Sequence, residues 1–128
     1  MRILTIDDNQ VFLAAFNDVL TRFPGVAKVA GANSGEDGLA AIPELRPDLV
    51  FVDIKMPGLS GLQVAERLRD HHPEIGVVVI SLMDDEQCRQ SVAAVGAQQF
   101  VCKRELFDQL PTILERRPAF QGAHVERA

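Results

Sequence analysis

The stretch "FVDIKMPGLSG", residues 51–61, opens as a buried strand and closes as a turn. Phe51 and Val52 carry an acid, Asp53, to the strand end, and a Met-Pro-Gly break follows at 56–58. Asp favours turns, so the plain reading is a strand that stops on a turn residue. A second acidic pair, Asp7 and Asp8, closes another apolar strand, "RILTI" at 2–6. Two apolar strands ending on acids need a common explanation.

Outward from these strands, short apolar runs alternate with stretches of helical period. After the first strand, Phe12, Ala15, Phe16, Val19, Leu20 and Phe23 fall at i, i+3, i+4, i+7, i+8 and i+11, which predicts one buried helix face. Pro24-Gly25 breaks the chain, and "VAKVA" at 26–30 reads as a weaker strand, with Lys28 marking a sheet edge. Ser34 and Asp37 have the spacing of a capping box opening a second helix, which Pro43 should shorten or kink. "DLVFVD" at 48–53 is the third strand. Ser60 can cap the next helix, whose apolar face is Gly61, Val64, Ala65 and Leu68. "GVVVIS" at 76–81 is the fourth strand, Asp84 or Asp85 caps a fourth helix, and "VGA" at 95–97 closes it. "QQFVC" at 98–102 is the fifth strand. Pro111 is unfavourable inside a helix, so a fifth helix is expected from about Gln109, with Asp108 as its cap and its end before Pro118. Five β-α units with continuously apolar central strands predict a parallel sheet with helices on both faces. The organisation is one domain over 1–117, followed by a flexible tail or linker over 118–128.

Bulk composition narrows the function. The chain has 128 residues, 47% hydrophobic and 24% charged, as expected for a globular domain with a full core. A net charge of −5 argues against nucleic acid as the domain's own partner. "MRILTIDD" lacks the apolar core of a secretory leader, and no run approaches a membrane span. Cys88 and Cys102 have no metal or disulfide spacing and read as free thiols. The expected compartment is the cytoplasm.

In an open parallel sheet, ligands bind beyond the carboxyl ends of the strands. The residues placed there form a chemical set: Asp7 and Asp8 after the first strand, Asp53 ending the third, Ser81 ending the fourth, Lys103 after the fifth. Crowded carboxylates repel, so a cation belongs among them, and hard oxygen ligands suit Mg²⁺. A lysine would hold an anion as a point charge, and a hydroxyl would donate to another of its oxygens. Together they describe a phosphoryl-transfer site with a carboxylate nucleophile. Taken singly, the acids read as turns or caps, Ser81 as a strand-end hydroxyl, Phe100 as core and Lys103 as a solvated cation. His71 and His72 stand at a helix end without a third ligand, and Asp84, Asp85 and Glu86 read as an acidic helix N-terminus.

"DD" at 7–8, "DIKMPGLSG", "VVVISLMDDE" and "GAQQFVCK" resemble the signature segments of response-regulator receiver domains, over residues 1 to about 117. "SLMDDE" is most similar to receivers of LuxR/FixJ-type transcription factors. The resemblance implies a CheY-like, flavodoxin-like doubly wound sheet with strand order 2-1-3-4-5. It implies Asp53 as phosphoacceptor. Asp8 and Asp53 would bind Mg²⁺ directly, Asp7 mainly through water, and the Lys55 backbone carbonyl would supply another oxygen. Ser81 and Lys103 would hold phosphoryl oxygens, and Phe100 would be the rotating aromatic switch. Such a domain catalyses only its own phosphorylation and dephosphorylation. The implied partners are a sensor histidine kinase or phosphotransfer protein, a phosphorylation-linked second copy, and DNA only through an output domain that the residues after the fifth helix are too few to form. No membrane partner is implied. This sequence departs from the family in three places: Arg104 rather than proline follows Lys103, Phe100 lacks a tyrosine hydroxyl, and Leu82 is bulkier than the usual alanine or glycine.

Other classes fit less well. A flavodoxin-type cofactor binder needs a Ser/Thr/Gly-rich phosphate loop where "DDNQ" stands at 7–10. An aspartate-based phosphatase or mutase needs Asp-x-Asp, and Asp53-Ile54-Lys55 lacks the second acid. A receiver acting by binding alone would not need the intact acid set.

Overall fold

Ten elements alternate along the chain: β1 (Arg2–Ile6), α1 (Gln10–Leu20), β2 (Lys28–Ala32), α2 (Gly35–Leu45), β3 (Leu49–Asp53), α3 (Gly61–His71), β4 (Gly76–Ser81), α4 (Glu86–Ala94), β5 (Gln99–Cys102) and α5 (Lys103–Arg116). The structure, a computed structural model, describes residues 1–83, 86–97 and 99–116. All neighbouring strands are parallel, in the order β2-β1-β3-β4-β5. This is the expected doubly wound architecture.

Side chains alternate across a strand, and here the alternation makes two cores. Leu4, Ile6, Val50, Val52, Val77 and Val79 face one side, packed by Ile42 and Leu45 of α2, Val64, Ala65 and Leu68 of α3 and Val92 of α4. Ile3, Leu49, Phe51, Val78 and Ile80 face the other, packed by Phe16 and Leu20 of α1 and Leu106, Leu110 and Ile113 of α5. Both faces of β3 and β4 are covered, which is why those strands are apolar without interruption. Thr5 is the polar exception within β1, and its hydroxyl donates to Asn17 Oδ1 of α1 at 2.7 Å.

The α3 boundaries follow the expectation. Ser60 accepts from the Gln63 N–H at 3.2 Å, and the Gln63 side chain accepts from the Ser60 N–H at 2.9 Å, a complete capping box. Ser34 caps α2 through the Asp37 N–H.

Four expectations need correction. The buried face of α1 is Leu13, Phe16 and Leu20; Ala15 is exposed, because the helix is turned so that Phe12 and Val19 flank the core instead of centring it. Strand β2 lies two residues further along, ending on buried Ala32, because its register with β1 pairs Arg2 with Lys28. Pro43 does not shorten α2; it sits exposed in the last turns, and the helix runs on to Leu45. The start of α5 is the largest difference. It begins at Lys103, directly after β5, and Pro111 lies inside it. Leu106, Leu110 and Ile113 form one continuous buried face across that proline, while Pro111 itself is exposed, so the carbonyl it leaves unpaired can turn to water. There is no cis peptide bond among the described residues, so the Lys103–Arg104 bond is trans. The proposed caps Asp84 and Asp85, the expected β5 start at Gln98 and the tail over 118–128 lie outside the described residues.

Candidate functional site

Sheet register sets the site. Ile6 pairs with Val52, so Asp7 comes level with Asp53 on the next row. Asp53 pairs with Ile80, which puts Ser81 one row beyond it. Ser81 pairs with Cys102, which puts Lys103 one row further still. The carboxyl ends of β1, β3, β4 and β5 thus deliver four chemical groups to a single rim.

A cleft of about 350 Å³ opens there, lined by Asp7, Asp8, Asn9, Asp53, Lys55, Ser81, Leu82, Met83 and Lys103. Asp7 is 1% exposed and Asp53 7%, whereas Asp8 lies at the surface. The three carboxylates each offer an oxygen within 4.8 Å of the others. Two turns hold the acids in place. The Asn9 N–H donates to Asp7 Oδ1 at 2.9 Å, and the Asn9 side chain in turn caps α1 by accepting from the Phe12 N–H at 3.0 Å. After Asp53 the chain doubles back, and the Gly61 N–H donates to the Ile54 carbonyl at 3.0 Å. A Cβ at Gly61 would collide with the Asp53 backbone carbonyl, so the turn can close only on glycine. Gly58, at φ +75°, supplies the left-handed step within the same turn.

Lys103 reaches across from the first residue of α5. Its Nζ lies 2.6 Å from Asp7 Oδ2 and 3.5 Å from Asp53 Oδ1. The contact with Asp7 is a close ion pair to a buried oxygen. Burial raises the Asp53 carboxyl from its ordinary 3.8 to about 6; the Asp7 charge pushes it the same way, Lys103 opposes, and Asp8 adds a smaller rise. One lysine therefore leaves the cluster under-compensated. Three hard-oxygen ligands and an acid pushed towards its neutral form suit a small divalent cation.

Ser81 is 2% exposed, and its Oγ accepts from the Met83 N–H at 3.0 Å. The hydroxyl also carries a proton that it can donate. Lys55 is exposed at the cleft margin. Phe100 is half-buried on β5, packed against the α2–α3–α4 core, with the Arg89 guanidinium 5.9 Å from its ring centroid. His71 and His72 stand apart, at the end of α3, with His72 Nδ1 3.8 Å from Glu74.

Residues 3–115 match the Response regulator receiver domain family. The chain belongs to that family. The response regulator GacA of Pseudomonas viridiflava is 32% identical over 103 residues, which cover 80% of this chain and 48% of GacA. A receiver domain assigned to NarL of Mycobacterium tuberculosis superposes with a TM-score of 0.82 at 26% identity, covering 91% of this chain and 94% of that one. A LuxR-family DNA-binding response regulator of Staphylococcus aureus shares the fold, with a TM-score of 0.83 at 21% identity over 91% of this chain and 97% of its own. The receiver spans about half the length of the GacA relatives. Among the described residues no helix is long and apolar enough to cross a membrane.

The structure brings Asp7, Asp8, Asp53, Ser81, Lys55 and Lys103 to one cleft and leaves Phe100 outside its lining. Sequence reasoning missed two contributors to this receiver site. Asn9 was legible in principle, as a good N-cap residue two positions after Asp7. Phe12 was assigned to the core, yet its ring centroid lies 4.4 Å from Lys103 Nζ.

Proposed function

We propose that this receiver accepts a phosphoryl group on Asp53 from a histidine kinase or a phosphotransfer protein in a Mg²⁺-dependent reaction. The observation that carries it is a buried carboxylate, Asp53, clustered with two further acids and with the Lys103 ammonium, which lies against both Asp7 and Asp53. Asp7, Asp8, Asp53 and the Lys55 carbonyl would hold the ion. When bound, Mg²⁺ supplies positive charge to the oxygens of the phosphoryl group in transfer.

The chemistry left to the chain is positioning and charge. An Asp53 carboxylate oxygen forms a bond to phosphorus, the phosphorus–nitrogen bond of the donor phosphohistidine breaks, and its electron pair stays on the imidazole. Lys103 offsets charge on the transferring group, and the Ser81 hydroxyl donates to one of its oxygens. With a pKa of about 6, Asp53 is mostly ionised at neutral pH and competent as nucleophile. Reversal by water completes a cycle in which the domain acts only on itself.

A switch needs differential contacts in its two states. Ser81 can follow a new phosphoryl oxygen and draw the start of α4 with it, and Phe100 can turn inward to fill the space. The output face is then α4, β5 and α5, available to a second copy or to an output domain that contacts DNA. Supply by a sensor kinase supports a cytoplasmic location for the domain. Intact-mass analysis of wild type and Asp53→Asn with acetyl phosphate, with and without Mg²⁺, tests the assignment. One Mg²⁺-dependent phosphoryl adduct on wild type and none on Asp53→Asn is expected. Equal labelling of both proteins would sink it.

A further inference from the structure

A lysine ammonium is strongly hydrated in water, yet the Lys103 side chain is only 9% exposed. Its two carboxylate neighbours, Asp7 at 2.6 Å and Asp53 at 3.5 Å, account for part of its surroundings. The face of Phe12, 4.4 Å from Nζ, accounts for another part. An aromatic face carries the negative lobe of the ring quadrupole and attracts a cation, most strongly where water is excluded.

That ring is held from two directions. Behind it, Phe12 stacks on Phe16 at 5.4 Å, and Phe16 packs edge-on to Phe51 at 5.0 Å and to Phe107 at 5.9 Å. Phe16 and Phe51 are fully buried, so the stack rests on core that cannot give way. At the backbone, the Phe12 N–H is tied to the Asn9 side chain, and the Asn9 N–H is tied to Asp7. A single turn thus fixes both a carboxylate and an aromatic face around the same ammonium.

We propose that Phe12 is a positioning residue for Lys103, holding its ammonium over the Asp7–Asp53 gap by cation–π attraction and by excluding water from one side. The effect on phosphorylation rests on the assignment of Asp53 as phosphoacceptor; the geometry around Lys103 does not. Phe12→Leu removes the ring but keeps the site apolar. Phe12→Tyr keeps the ring, and at a half-buried position its hydroxyl can reach water. Phe12→Met serves as the ringless variant should Phe12→Leu fail to fold.

The chain has three lysines, Lys28, Lys55 and Lys103, so side-chain NMR of lysine-labelled, unphosphorylated protein resolves each one. Loss of the ring current in Phe12→Leu should move the Lys103 Hε resonances downfield and leave those of Lys28 unmoved, while Phe12→Tyr keeps the wild-type shifts. The Mg²⁺-dependent rate with acetyl phosphate should fall roughly ten-fold in Phe12→Leu and stay near wild type in Phe12→Tyr. Unmoved Lys103 resonances in Phe12→Leu, or a rate in Phe12→Tyr as low as in Phe12→Leu, overturns the inference. Labelling of Asp53→Asn at the wild-type level would instead remove the phosphoacceptor assignment and leave the resonance test standing.

Discussion

Asp53 should destabilise the metal-free domain at neutral pH, and Asp53→Asn should relieve that cost. The folded carboxyl titrates at about 6 against an ordinary 3.8, chiefly because it is buried and secondarily because Asp7 lies beside it. An acid whose pKa is raised on folding binds its proton more tightly in the native state. Native stability therefore falls as pH rises through the window from 3.8 to about 6. Below that window both states are protonated and the cost is absent; above it the cost is complete. Integrated across the window it comes to about 3 kcal/mol, an upper figure for one substitution. For a domain of this size that corresponds to a rise of about 10 °C in Tm.

The assay is urea unfolding of wild type and Asp53→Asn in EDTA, at pH 4 and at pH 8. Asparagine keeps the shape and cannot ionise, so the variant's advantage should be small at pH 4 and should approach its full value at pH 8. Saturating Mg²⁺ at pH 8 should shrink the advantage by binding the folded wild type. An advantage equal at both pH values, or a variant less stable than wild type at pH 8, would show that the Asp53 charge is already compensated by Lys103.

Two further outcomes are expected. Gly61→Ala places a Cβ against the Asp53 backbone carbonyl and should cost about 2–3 kcal/mol in urea unfolding, with loss of labelling at Asp53; a change under about 0.5 kcal/mol would mean the turn opens freely. Amide-exchange mapping with and without a beryllofluoride mimic and Mg²⁺ should show changes that extend into α4 and β5; changes confined to Asp7, Asp8 and Asp53 would mean binding without transmission.

Much of the fold was legible because the strands of a parallel sheet carry their signal in sequence. β3 and β4 are buried on both faces and read as unbroken apolar runs, and α3 announced itself through Ser60 and the spacing of Gly61, Val64, Ala65 and Leu68. The errors arose where tertiary contacts outvoted local preference. A proline inside a helix costs about 3 kcal/mol, which favours starting the fifth helix beyond Asp108. Each of Leu106, Leu110 and Ile113 is almost fully buried, and such a side chain contributes about 1.5–3 kcal/mol. Together the three outweigh the proline, and the helix runs through it from Lys103. In α1 the difficulty was phase. Val11, Phe12, Leu13, Ala15 and Phe16 are all apolar, so periodicity alone could not say which side faced the sheet.

The same ambiguity of phase hid part of the site. Asp7, Asp53, Ser81 and Lys103 could be assembled from sequence because each is tied to a strand end, and parallel register carries strand ends to a common rim. Phe12 is tied to a helix face, and its position depends on the rotation of α1. Turn α1 so that Phe12 centres on the core, as the periodicity suggested, and its ring can no longer face Lys103. Turn it as observed, with Leu13 inward, and Phe12 moves to the core margin beside the ammonium. What fixes that rotation is the cap: Asn9 bonds backward to Asp7 and forward to the Phe12 N–H, so the first acid of the site also sets the angle at which the helix leaves it.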